Sequence, residues 1–162
     1  MPAAEPAGLI LVIGIGNRLA GDDAAGLEAA RLLAGRREGA FRVVEHSGEG
    51  AGLIESWDGA AAVVLIDAAR SGAEPGAVRR FDAGAEPLPA AAFRRSTHAF
   101  GVAEAVELAR ALGQLPPSLI LYAIEGASFE TGAGLSDAVA GRLPSAVEQI
   151  LAEIRRLEGD RG

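Results

Sequence analysis

Asp22 and Asp23 close the segment Gly14-Ile15-Gly16-Asn17-Arg18-Leu19-Ala20-Gly21-Asp22-Asp23, and two adjacent carboxylates at that point decide what the loop can hold. The segment starts as a nucleotide loop does, with an apolar run feeding a glycine turn. A dinucleotide fingerprint needs a third glycine where Leu19 stands. The free N–H groups of a helix start attract anions, but Asp22 and Asp23 already supply negative charge there and would repel a pyrophosphate. The loop therefore reads as built for a cation. Asp67 follows Val63-Val64-Leu65-Ile66, a run apolar enough to be buried on both faces, and a carboxylate ending such a strand needs a partner. With His98, the acids make a nitrogen and oxygen donor set suited to zinc or nickel, whereas magnesium or calcium would favour oxygen alone. Three protein ligands leave positions open for a carbonyl, a water or a ligand from another molecule.

Each residue also has a plainer role. Asp22, at a strand-to-helix junction, can cap the first helix, worth about 1 kcal/mol, although a cap needs only one carboxylate. Asp67 can bond nearby backbone N–H groups in a loop, and His98 alone can be a satisfied structural histidine. His46, in Glu45-His46-Ser47-Gly48-Glu49-Gly50, suits surface, packing or substrate contact and ranks behind His98. Gly14, Gly16 and Gly26 serve tight turns and close helix packing. No Gly-x-Ser-x-Gly elbow surrounds Ser47, Ser96 or Ser136, and the chain has no cysteine, so catalysis must use oxygen or imidazole.

The elements that must position these groups alternate. Leu9 to Ile15 reads as a strand, Ala24 to Leu33 as a helix, Phe41 to Val44 as a strand, Leu53 to Trp57 as a short helix and Ala61 to Asp67 as a third strand. Ala77 to Phe81 reads as an edge strand after the turn signals of Gly72 to Gly76, and Ala83 to Pro89 as loop. Phe100 to Leu112 has helical spacing, Ser118 to Ile124 is another apolar strand, and Ser136 is an N-cap. From Pro144 a closing helix puts Val147, Ile150, Leu151, Ile154 and Leu157 on one face, and Pro144 is expected to break or kink what precedes it. Its acidic face reads as solvated surface. The alternation predicts an α/β fold: a single three-layer domain over residues 1–162 with a mostly parallel, twisted sheet, helices on both faces and right-handed crossovers. Residues 1–8 and 158–162 read as flexible ends. Ligands of such sheets gather at the carboxyl ends of the strands, where Asp23, Asp67 and His98 are expected.

At 162 residues the chain can bury a core without disulfides or a second domain. Its apolar runs are too short to span a bilayer, and the residues through Gly8 lack a signal-peptide plan, so a cytoplasmic protein is expected. A net charge of −7 disfavours nucleic acid and favours a basic partner surface or peptide tail.

Jointly, these motifs resemble the hydrogenase maturation endopeptidases. The likeness spans nearly the whole chain. It comprises Gly14-x-Gly16-Asn17-x-Leu19-x-x-Asp22-Asp23-x-x-Gly26, then Val64-Leu65-Ile66-Asp67-Ala68 with Gly72 and Pro75-Gly76. Ser96-Thr97-His98 ahead of a helix, Ile124-Glu125-Gly126 and Gly132-x-Gly134-Leu135-Ser136 complete it. The resemblance implies the phosphorylase-like fold of that family and an aspartic-type endopeptidase. Its substrate would be the precursor of a nickel-iron hydrogenase large subunit, from which it removes a carboxyl-terminal extension. Asp23, Asp67 and His98 would contact nickel carried by that precursor, and Asp23 and Asp67 would be catalytic; brought close, the two acids would share a proton until a divalent cation arrives. No nucleotide, nucleic acid or membrane partner is implied, and a monomer is expected. Where the family often has glycine after the acidic pair, Ala24 stands here, and Glu45 to Gly50 departs from its Asp-x-Gly-Thr-like segment, which points to a particular subgroup of hydrogenase partner. Two other classes stay open: a noncatalytic nickel- and precursor-binding maturation factor, and a nucleotide-binding α/β enzyme using the Gly14-x-Gly16 loop.

Overall fold

A computed structural model describes residues 8–36, 39–89 and 101–160. His98 lies outside the described residues, as do Ser96, Thr97 and the outer parts of both expected flexible ends. The chain runs β1 (Ile10–Ile15), a 3-10 turn (Gly21–Ala24), α1 (Ala25–Ala34), β2 (Phe41–His46), α2 (Gly50–Ser56), β3 (Ala62–Ala69), β4 (Val78–Asp82), α3 (Val102–Ala111), β5 (Ser118–Glu125) and α4 (Asp137–Gly159). The five strands are ordered β2-β1-β3-β5-β4. All pair in parallel except β4, which runs antiparallel to β5 as an edge.

Side chains alternate across a strand, so one apolar run feeds both faces of the sheet. Ile10 and Val12 of β1, Val64 and Ile66 of β3 and Ile120, Tyr122 and Ile124 of β5 pack under α1 and α4. Their neighbours Leu11, Ile13, Val63, Leu65, Leu119 and Leu121 pack under α2 and α3, where Leu53, Trp57 and Val106 complete the other layer. This is the expected single α/β domain with helices on both faces. No helix among the described residues is long and apolar enough to cross a membrane.

β2 runs on to His46 and α2 begins at Gly50, and two further expectations change. β3 does not end at Asp67: Ala68 and Ala69 continue the ladder opposite Ile124 and Glu125, because β5 offers backbone partners beyond the apolar run. Pro144 neither starts nor breaks the last helix, which is continuous from Asp137 to Gly159. Ala140, whose carbonyl loses its helical donor to the proline, is exposed, so water can take the donor's place on the solvated face.

Candidate active site

Glycines let the first helix start against the strand ends. A Cβ on Gly26 would lie 2.2 Å from the Ile66 carbonyl oxygen and 2.6 Å from that of Ile15, and one on Gly14 would lie 2.5 Å from the Ala30 Cβ. Only hydrogen fits there. The helix start therefore lies against the ends of β1 and β3, which carries the preceding 3-10 turn, and Asp23 within it, toward Asp67.

Gly16 turns the chain after β1 at φ +152°, and a Cβ on it would collide with the Asp23 carbonyl oxygen. Next to it, the Asn17 N–H donates to Asp23 Oδ2 at 2.9 Å, and Asn17 Oδ1 accepts from the Leu19 N–H at 2.9 Å, so the loop fixes the acid. Asp67 accepts one hydrogen bond, from the Ala68 N–H to Oδ1 at 2.9 Å. The other oxygens, Asp23 Oδ1 and Asp67 Oδ2, accept none among the described residues. No described side-chain oxygen is both buried and without a partner, so Asp67 Oδ2 opens onto the surface. Burial pushes the Asp67 carboxyl up to about 8, the negative charge of Asp23 adds to the rise, and the Ala68 N–H opposes it. At neutral pH the pair thus holds a proton in the absence of a cation.

Asp22 does not cap a helix, because neither the 3-10 turn nor α1 has a side-chain cap. It is fully buried, and its carboxylate accepts from the N–H groups of Ala127 (2.7 Å), Ser128 (3.2 Å) and Ser136 (2.7 Å) and from the Ser136 hydroxyl (2.8 Å). Burial alone would raise its pKa. The bonds from Ser136, Ala127 and Ser128 outweigh that and hold it below the usual carboxylate value. Ser136 caps α4 as expected, its hydroxyl oxygen accepting from the Val139 N–H at 3.3 Å, so Asp22 ties the turn carrying Asp23 to the start of the last helix.

Glu125 is a second fastening that residue types did not single out. Buried at the end of β5, it accepts from the Ser71 N–H (2.9 Å) and the Ser71 hydroxyl (2.5 Å), while an Arg79 guanidinium N–H donates to that hydroxyl at 2.9 Å. The loop after β3 is thereby held beside Asp67. The signals in the sequence were an acid ending an apolar run, as at Asp67, and the Ile124-Glu125-Gly126 motif of the resemblance.

A surface cleft of about 430 Å³ opens at the carboxyl ends of β1 and β2, lined by Gly16, Asn17, Arg18, Leu27, Glu45 and His46 among others. Arg18 bridges Glu45 and Glu28 at its rim. His46 Nδ1 accepts from the Gly48 N–H at 2.9 Å, which places the proton of the neutral ring on Nε2, and Glu49 caps α2 through the N–H groups of Ala51 and Gly52. The Gly14-x-Gly16 loop is no phosphate cradle: the N–H groups of Gly16, Asn17, Leu19 and Ala20 all donate to the protein's own oxygens. Among the described residues no group of three or more acids or histidines is placed to hold a metal ion; of the three expected contacts the structure brings Asp23 and Asp67 near each other, and His98 lies outside the described residues.

Comparison with known proteins bears on the family and the fold. A family model described as hydrogenase maturation protease matches residues 29–153. The hydrogenase expression/formation protein HupD of Rhodobacter capsulatus is 27% identical over 158 residues, 96% of this chain and 75% of HupD. HoxM of Cupriavidus necator, another hydrogenase expression/formation protein, is 29% identical over 93% of this chain and 76% of its own. Among solved structures, the hydrogenase-maturating endopeptidase HybD of Escherichia coli superposes with a TM-score of 0.77 at 27% identity, covering 91% of this chain and 92% of HybD.

Proposed function

The chain belongs to the hydrogenase maturation protease family, and on that footing we propose that it removes a carboxyl-terminal extension from the nickel-loaded precursor of a nickel-iron hydrogenase large subunit. One observation carries the chemistry: a half-buried carboxyl, Asp67, shares a strand-end corner with Asp23 and keeps its proton up to a pH of about 8. Proton affinity near the operating pH is what a general base needs. Nickel belongs to the substrate in this reading, presented to Asp23, Asp67 and His98. Two oxygen donors with unoccupied lone pairs suit that contact, and a divalent cation would release the proton the pair holds without it.

The division of labour follows from the hydrogen bonds. Asp23, pinned through Oδ2 by the Asn17 N–H, orients and anchors. Asp67, once deprotonated, takes a proton from water as the water oxygen bonds to the scissile carbonyl carbon. The same proton passes to the amine nitrogen as the C–N bond breaks. Cleavage is thereby coupled to loading, because only a loaded precursor frees Asp67 to act as a base. The protein works as a monomer in the cytoplasm, with no nucleotide.

The test is the intact mass of a nickel-loaded precursor with and without this protein, beside a metal-free precursor. Loss of a discrete carboxyl-terminal peptide from the loaded form alone is the expected result. Cleavage of both forms would remove the nickel gate, and binding without a mass change would make the protein a noncatalytic maturation factor.

A further inference from the structure

β2 is an outermost strand of the sheet, and no described strand pairs with its outer edge. The Gly16 N–H donates to the His46 carbonyl at 3.1 Å, so His46 directs its backbone groups toward β1. By the two-residue repeat of a strand, Arg42 and Val44 do the same, while Phe41, Val43 and Glu45 direct their N–H and C=O groups away from the sheet. The six-residue register against β1 is unbroken, without bulge or proline. Natural sheets usually block such an edge. Beside β2, on the face of the sheet that α2 covers, lies a groove of about 270 Å³ lined by Leu11 of β1, Arg42, Val44 and His46 of β2, and Ser56 and Asp58 at the end of α2, among others. Glu45 and His46 line this groove and also the cleft that adjoins Asn17, so the two meet beside the loop whose Asn17 N–H holds Asp23.

We propose that the free edge of β2 docks an extended segment of the substrate polypeptide as an added strand leading into the Asp23 and Asp67 corner. The proposal rests on the peptidase reading above and names how that substrate is held. A peptidase must take its scissile bond in extended backbone, and an open strand edge binds extended backbone through main-chain hydrogen bonds, with alternate side chains entering a flanking groove. Six residues of β2 offer about 20 Å of such contact. Charge favours a segment carrying basic residues over a second copy of this chain. Asp58 on the groove, and Glu55 nearby on α2, make no ion pair among the described residues, and two copies meeting edge to edge would oppose like charges on a chain of net charge −7.

Two measurements test this. In ¹⁵N-labelled unaltered protein, a metal-free synthetic peptide spanning the precursor's cleavage junction is expected to slow amide exchange at Val43 and Glu45 about fivefold or more, leaving Arg42 and Val44 unchanged. In kinetics on the loaded precursor, Glu45→Pro removes one outward N–H at an edge position that tolerates proline. Against Glu45→Ala, which loses the same side chain and keeps the N–H, it is expected to raise KM about tenfold with kcat within about twofold. If Glu45→Pro loses its native amide spectrum, the exchange experiment on the unaltered chain decides. Cleavage by the wild-type protein with no protection of β2 amides overturns the docking and leaves the peptidase reading standing. Protection of Val43 and Glu45 that grows with protein concentration alone assigns the edge to a second copy and also overturns it. No cleavage by the wild-type protein overturns the peptidase reading, and this proposal with it.

Discussion

Asp22 and Asp67 occupy the same corner of the sheet, and their surroundings treat them in opposite ways. Asp22, fully buried, receives four hydrogen bonds from three residues and is held in its charged form. Asp67 receives one and has the charge of Asp23 beside it, and it holds its proton to about 8. Burial raises the pKa of both; the number of donors facing each oxygen decides the outcome. A saturated carboxylate fastens loops together. A carboxylate left short of donors keeps lone pairs for a proton, a cation or a water, at a cost to the fold.

The sharpest way to break the contrast is to make the acids neutral one at a time. Asp67→Asn keeps the volume and the bond from Ala68 and removes the base, so processing of loaded precursor is expected to fall about 10²–10⁴-fold while the fold persists. The same variant in metal-free buffer should melt above wild type at pH 8 and close to it at pH 4, because it lacks the ionised group the corner accommodates poorly. Asp22→Asn should do the reverse. Its single amide oxygen cannot accept from all four donors, and its NH₂ faces N–H groups, so a loss of about 2–4 kcal/mol is expected, read as a fall in Tm of roughly 6–12 °C. If Asp22→Asn melted as wild type does, the fastening role would be wrong.

The wild-type protein carries the contrast in its pH dependence. Asp67 titrates near 3.8 unfolded and about 8 folded, so the folded state binds more protons between those values and stability falls as pH rises through that window. Asp22, lowered in the fold, contributes stability above its unfolded pKa that is lost only as pH drops further. Denaturant midpoints of metal-free protein should therefore decline from about pH 4 to 8 and level off above. A midpoint flat across that range would mean that Asp67 is not perturbed.

Much of this was legible in the sequence. Continuous apolar runs gave the parallel strands, since a strand covered on both faces has no polar side to show, and Asp23 and Asp67 stood out as charges where such strands hand over to loops. The plainer capping role open to Asp22 fails for a physical reason: its partners lie more than a hundred residues away, and local spacing cannot reveal that Ala127, Ser128 and Ser136 return to the same corner. Ser136 was read correctly as an N-cap because that bond is local, yet its hydroxyl also serves Asp22. Pro144 misled because helix propensity is judged without knowing which face meets water.

The smallest effect separates the two causes acting on Asp67. Asp23→Asn removes the neighbouring charge and keeps an oxygen for the Asn17 N–H, so the loop has no reason to move. The ¹³C titration of the Asp67 carboxyl should then shift downward, yet stay above an ordinary aspartate, because burial is the larger cause and remains in place. An unchanged titration would mean that the two acids do not share one site, and the paired-carboxylate chemistry would fail with it. A return to an ordinary value would make charge rather than burial the main cause. In that case a cation alone, bound near Asp23, would free Asp67 to act as a base without any further exclusion of water.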